Sequence, residues 1–322
     1  MPEQATIATV RGPVPIAQLG RTLTHEHIFV HAPELEQGHE PRDREGTWVK
    51  DAIGRMRDLR QSGIETIVDL TVYGLGRDIP RVKQVAAAVD LNIIVATGLY
   101  TYNELPLYLR IDGRRAAVRR MTEMFTGDLA DGIADTGVRA AVLKCASDEP
   151  GITEGVRLVM RAVAQAQQAT GAPVFTHSHA PSRGGLAQQD VLAEYGADLG
   201  HVVIGHSGDT TDVGYLEELI ARGSYVGLDR FGVDSMLPTA ERVDVVLRLC
   251  ERGHQSRLLL SHDAVCHTDW YDAGKMAALN PNWHHLYLTA TVLPMLRAGG
   301  LTDADLDEIF RVNVQRFLSP AG

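Results

Sequence analysis

Alternation most constrains how this chain can fold. Short β-branched or apolar runs are followed by stretches of helical periodicity and then by a glycine-containing break. The strand runs fall at 22–30, 65–72, 92–99, 140–146, 173–178, 201–207, 224–228 and 257–263. Helical patterns lie between and after them, at 47–61, 80–90, 117–135, 153–169, 185–195, 212–222, 239–252 and 282–298. Gly63, Gly137, Gly171, Gly223 and Gly253 each follow a helical stretch, where a left-handed cap favours a residue without Cβ. Eight such cycles predict the α/β class and a parallel sheet closed into a (β/α)8 TIM barrel. The segment ATVRGPV reads as a short N-terminal hairpin, and 303–318 as an extra C-terminal helix. An open doubly wound sheet is the competing topology. It lacks support because no GxGxxG opens a helix, and polar residues close many strands instead of gathering at one crevice. The length of 322 residues suits one barrel domain spanning 1–322.

Composition narrows the partners. The net charge is −10, and the nearest candidate for a basic run, Arg114, Arg115, Arg119 and Arg120, is short, so nucleic acid is not an expected partner. No apolar run approaches the roughly 18 residues of a membrane span. The N-terminus lacks the basic and apolar blocks of a secretory signal. The cysteines, Cys145, Cys250 and Cys266, are a sparse odd set that fits a reducing compartment, and a cytoplasmic location is expected.

The chemistry gathers at strand ends. In Thr24-His25-Glu26-His27 the two imidazoles are two residues apart, so on a strand they share a face and Glu26 points the other way. His177, His206 and Asp263 each close a short apolar run. One strand-end histidine is more often structural than functional. Four of them with an aspartate, all at what would be the C-terminal mouth of a barrel, point to a metal site. Imidazole with carboxylate suits zinc first, and also cobalt, iron or manganese.

Lys144 ends the run Ala140-Ala141-Val142-Leu143-Lys144. An unpaired lysine there is costly to bury. Three readings stand open from the residues alone: a salt-bridged lysine, an amine of lowered pKa, or a carbamate formed with carbon dioxide that bridges two ions.

The motifs LTHEHIFV, TIVDLTVYGLGRDI, NIIVATGLYTY, VLKCASDEPGIT, VFTHSHA, VVIGHSGDT, GLDRFGVD and LLLSHDA follow one another in order. Together they resemble the phosphotriesterase-like lactonases of the amidohydrolase superfamily, over nearly the whole chain from 10 to 318. That resemblance implies two divalent metal ions. His25, His27 and Asp263 would bind the more buried one, and His177 and His206 the more exposed one. Lys144, as N6-carboxylysine, would bridge them. It implies Tyr100, with Tyr102 nearby, beside the metals and Arg230 near a lactone ring. Asp263 would take the proton from the attacking water. The loop 266–283, with Cys266, Trp270 and Trp283, would line an acyl-chain channel.

The function implied is hydrolysis of N-acyl homoserine lactones and related γ- and δ-lactones, hence quorum quenching, with weak phosphotriesterase side activity. The partner is then a small-molecule lactone, with no nucleic acid and no membrane, and the family implies a homodimer. The alternatives are a dedicated organophosphate triesterase and a non-catalytic binding relative. The latter is disfavoured because all six ligand positions are intact. Without the resemblance, Arg230 reads equally as a salt-bridge partner of Asp229 or Asp234. His179 could compete with His177, His262 should face away from Asp263, and Cys145 should point toward the helices. His31, His39, His201, His254, His267, His284 and His285 read as structural or surface.

Overall fold

In the computed structural model, residues 5–38 and 46–319 are described; His39 lies outside them. The N-terminal segment forms the expected hairpin, β1 (Thr6–Thr9) antiparallel to β2 (Gly12–Pro15). The barrel strands follow: β3 (Thr22–Val30), β4 (Thr66–Asp69), β5 (Asn92–Gly98), β6 (Val142–Ala146), β7 (Val174–His177), β8 (Val202–Ile204), β9 (Tyr225–Leu228) and β10 (Leu258–Leu260). A further strand, β11 (Val265–Thr268), completes a nine-stranded parallel sheet in the order β10-β9-β8-β7-β6-β5-β4-β3-β11. The fold is the α/β TIM-barrel type.

The last barrel strand departs from the single run expected over 257–263. It breaks at Asp263 and changes neighbour. Its lower part, β10, pairs with β9, and its upper part, β11, pairs with β3. The seam between the ends of the sheet is closed by backbone bonds: Asp263 N–H donates to His25 O at 3.0 Å and His27 N–H to Ala264 O at 2.8 Å.

Period-two alternation divides the core. Val68, Ile94, Ala96, Val142, Phe175, Val203, Tyr225 and Leu259 pack inside the barrel, closed below by Leu19, Val314 and Phe317. The alternate residues, among them Ile67, Ile93, Leu143 and Cys145, pack outward beneath the helices. Cys145 therefore faces away from the mouth. A representative helix, α1 (Glu154–Thr170), shows the logic. The Thr153 side chain caps its start by accepting from Val156 N–H, and Gly171 ends it at φ 69°. Its inner face buries Val156, Val159, Met160 and Val163.

The helical patterns hold with shifted ends. The one read at 117–135 is Arg114–Ala130, stopped before Gly132 at φ 120°. The one read at 282–298 begins only at Leu288, because the residues before it turn inward: Trp283 Nε1–H donates to His262 O at 2.9 Å. The C-terminal segment is helical from Asp303 to Leu318, with a π-helical middle at Glu308–Val312. Among the described residues, no helix is long and apolar enough to cross a membrane.

Gly98 ends β5 at φ 142°, and a Cβ there would lie 1.8 Å from the Lys144 carbonyl oxygen. Backbone cannot yield that distance, so this glycine sets how closely β5 and β6 approach under Lys144. Gly98→Ala is expected to destabilise the protein by about 3 kcal/mol or more, read from its urea-unfolding midpoint. A wild-type midpoint would show that the approach is not needed.

Candidate metal centre

The groups read as ligands come from five places around the barrel mouth. On β3 the register slips: Leu23 pairs with Ile67 but Glu26 with Asp69, so β3 holds one extra residue there. This bulge lets Leu23 face the helices while His25 and His27 face the barrel, the kind of re-aiming that bulges provide. Lys144 points inward from β6, and His177 is the last residue of β7. His206 and Asp263 lie just beyond β8 and β10 in left-handed backbone, at φ 59° and 54°. Such conformations are strained for non-glycine residues and persist where surroundings enforce them.

The side chains converge. Asp263 Oδ1 lies 3.1 Å from His25 Nε2 and 3.2 Å from His27 Nε2. Lys144 Nζ is 3.2 Å from His25 Nε2. His206 Nε2 and His177 Nδ1 face each other at 2.8 Å. All four histidines and Lys144 are buried.

Each ring also has an outer partner on its far nitrogen. Asp229 is fully buried and accepts from His25 Nδ1–H at 2.8 Å and from His206 Nδ1–H at 2.9 Å. His27 Nδ1–H donates to Thr71 Oγ1 at 2.7 Å, and that hydroxyl donates to Asp69 at 2.5 Å. His177 Nε2 lies 3.8 Å from Asp148. With the protons on these far nitrogens, the near nitrogens of His25, His27 and His206 present their lone pairs to the centre.

That donor set fits divalent cations. Ligands must be neutral imidazole, and outer hydrogen bonds fix the tautomer. Burial lowers His27 to about 4 and holds His177 and His206 below the usual imidazole value. His25 moves the other way: burial alone would lower it, but Asp263 and Asp229 raise it. This is the negative field that a cation would answer. His25, His27 and Asp263 also offer ligand atoms within 4.8 Å of one another.

The strained turn at Asp263 is held from behind. Glu26 points away from the centre, as alternation predicts. It accepts from the backbone N–H groups of His262 and Ala264, at 3.0 and 3.1 Å, and so brackets Asp263. His262 faces away too: its Nδ1–H donates to Glu26 at 2.7 Å and its Nε2 accepts from Leu288 N–H at 2.9 Å.

The groups lie beside a cavity of 120 Å³ that His25, His27, Lys144, His177, Asp263, Tyr100, Arg230, Trp270 and Trp283 help to line. Tyr100 packs edge-on to His177, with ring centres 5.2 Å apart, and burial pushes its hydroxyl up to about 12. Arg230 pairs with neither Asp229 nor Asp234. Its Nε donates to Asp263 at 3.1 Å and its Nη1 to Asp209 at 2.9 Å. Arg242 also pairs with Asp209, at 2.7 Å. Val265, Thr268, Tyr271 and Trp283 are shared with a second cavity of 520 Å³, and Cys266 lines that cavity, not the first. Tyr102 lines a third, of 600 Å³, which shares only Trp270 with the first.

The remaining histidines lie apart from the centre. His179 pairs with Ser182, His201 with the Phe317 carbonyl and His254 with Glu217. His31 and His267 each stack on Trp48, His284 meets Tyr287, and His285 lies near Glu26. Sequence reasoning missed Asp229, Asp69, Thr71, Asp148 and Asp209. Asp229, just beyond a strand run, and Asp69, the last residue of β4, carried a local signal as strand-end acids; Thr71, Asp148 and Asp209 lie beyond the strands, where no periodicity marks them.

The phosphotriesterase family pattern matches residues 5–318. A phosphotriesterase homology protein of Mycobacterium tuberculosis (strain ATCC 25618 / H37Rv) is 52% identical over 326 residues, covering 100% of this chain and 99% of that one. An aryldialkylphosphatase of Saccharolobus solfataricus is 36% identical, over 94% of this chain and 95% of that one. Among solved structures, the phosphotriesterase from Mycobacterium tuberculosis superposes with a TM-score of 0.94 at 50% identity, covering 99% of each chain.

Glu26→Gln would turn an N–H donor toward either the His262 or the Ala264 amide. With one buried amide left unsatisfied, a loss of about 1–3 kcal/mol in chemical denaturation is expected. Unchanged stability would show that the bracket does not hold the Asp263 turn.

Proposed function

The chain belongs to the phosphotriesterase family, and on that premise we propose that this hydrolase is a two-metal lactonase acting on N-acyl homoserine lactones and related γ- and δ-lactones. The observation that carries this reading is the shape beside the metal centre. A small chamber of 120 Å³ shares four lining residues with a 520 Å³ cavity lined in part by Trp48, Cys266, Met276 and Trp283. A compact polar head with one long aliphatic tail fits that pair of spaces. A phosphotriester with three comparable arms would also need the third cavity of 600 Å³, which meets the chamber only at Trp270.

In this reading His25, His27 and Asp263 hold one divalent ion, zinc first, and His177 and His206 the other. Lys144, as N6-carboxylysine, joins them. When bound, such a pair supplies Lewis acidity toward a carbonyl and water of lowered pKa. The chain's own groups do the rest. Asp263 accepts the proton released as water adds to the lactone carbonyl, and returns it to the ring oxygen that leaves as an alcohol. The product is a hydroxy acid. Arg230 stays charged, so it positions Asp263 through its Nε–H and transfers no proton in the reaction. With its pKa raised to about 12, the Tyr100 hydroxyl stays protonated and can donate toward the developing oxyanion.

The lysine chemistry is open to this chain. Burial lowers Lys144 to about 8, so a usable fraction of the amine is neutral near physiological pH and can add carbon dioxide with loss of a proton. The carbamate's negative charge would offset that of the cations. Zinc uptake by the metal-free protein is therefore expected to speed up with added bicarbonate, and more so as pH rises through about 8. Uptake indifferent to bicarbonate would count against the carbamate.

A phosphotriesterase is the second reading. It is supported by the name of the Saccharolobus solfataricus relative, an aryldialkylphosphatase. The two are separated by kcat/KM for a long-chain acyl homoserine lactone and for an aryl dialkyl phosphate, measured side by side on the zinc-loaded protein. The lactone value is expected to be higher by at least about tenfold, or ~1.4 kcal/mol of transition-state stabilisation. The reverse order would favour the second reading.

A further inference from the structure

We propose that Asp229 is a positioning residue that couples the two halves of the metal centre. Its single carboxylate sets the tautomer of one histidine from each half. The inference rests on the two-ion reading above. Its basis is an asymmetry in who donates to Asp229. Oδ1 accepts both the backbone N–H of His206, at 2.8 Å, and His206 Nδ1–H, at 2.9 Å. Oδ2 accepts only His25 Nδ1–H, at 2.8 Å. The barrel leaves room for this carboxylate: a Cβ on Gly205 or Gly227 would stand 3.2 or 2.9 Å from Oδ2. Asp229 has no exposure to water, and burial alone would raise its pKa, but His206 and His25 hold it well below the ordinary carboxylate range.

The asymmetry makes the consequence directional. In Asp229→Asn the backbone amide of His206 can only donate, so the amide oxygen must face it. The new NH2 group then faces His25 Nδ1. Two donors cannot share that contact, so His25 must move its proton from Nδ1 to Nε2. Packing against Phe175 and His206, each with ring centres 4.9 Å away, fixes the ring plane, and a flip within that plane turns a carbon toward the centre in place of Nε2, so ligation is lost either way. A protonated Nε2 cannot ligate. His206 keeps its tautomer. The ion of His25, His27 and Asp263 is lost, and the ion of His177 and His206 remains.

The test begins with the wild-type protein, loaded with zinc and counted by plasma emission spectrometry. Two ions per chain are expected. At the same free zinc, Asp229→Asn is expected to retain one, and chelator titration should show affinity for the lost ion reduced about 10–100-fold. Two ions at wild-type affinity in the variant would overturn the coupling, and so would loss of both ions together. Fewer than two ions in the wild type would overturn the two-ion reading itself and the coupling with it, and the order of measurement separates that failure from the others. If the variant does not fold, histidine 15N spectra of the metal-free wild type decide. His25 and His206 are expected as Nδ1–H tautomers before any metal is added, and His25 protonated on Nε2 would overturn the proposal.

Discussion

Two backbone hydrogen bonds at one seam organise the mouth of this barrel. Asp263 N–H donates to His25 O and His27 N–H donates to Ala264 O. They bind the strand that carries the histidine pair to the strand that carries the aspartate, at opposite ends of the sheet order. The last strand can serve both neighbours only by breaking at Asp263, where the left-handed turn swings the carboxylate inward. Closure of the barrel and assembly of the centre are thus one event. A chain that failed to close would leave Asp263 far from His25 and His27.

The centre that closure creates is unfavourable by itself. It packs four imidazoles, a lysine and two carboxylates together with little exposure to solvent. The protein meets this with hydrogen bonds on the far sides: Asp229 behind two rings, Thr71 and Asp69 behind a third, and Glu26 behind the Asp263 turn. Those bonds also aim the lone pairs at a shared centre, so satisfying buried polar groups and preparing a cation site use the same contacts. Arg230 extends the network outward by linking Asp263 to Asp209. The carboxylate assigned the proton-handling role is thereby held on both its faces.

Much of this was legible from residue order. Alternation of strand and helix patterns gave the parallel barrel, because a hydrophobic period changes visibly between a strand and a helix. The strand containing His25 and His27 matched its observed bounds of Thr22–Val30, and His177 ends β7 as read, while Lys144 points inward from the middle of β6, which runs on to Ala146. Period two also gave the outward direction of Glu26, His262 and Cys145. The residues that line the 120 Å³ cavity were mostly named as well, but Cys266 and Tyr102 belong to the neighbouring cavities. A loop has no periodicity to say which side a residue takes.

The sequence by itself determined which residues could do chemistry and that strand ends would carry them, since burial patterns and ligand types are local properties of the chain. Tertiary structure alone decided three things. It decided the extra residue in β3 that turns both histidines inward, because a bulge is a relation between two strands. It decided the partner switch at Asp263, because that depends on which strand lies across the seam. And it decided the sharing of Asp229 between His25 and His206, which lie 204 and 23 positions from it along the chain. Hydrogen bonds between side chains so distant in sequence leave no pattern in composition or spacing; they exist only once the barrel has closed.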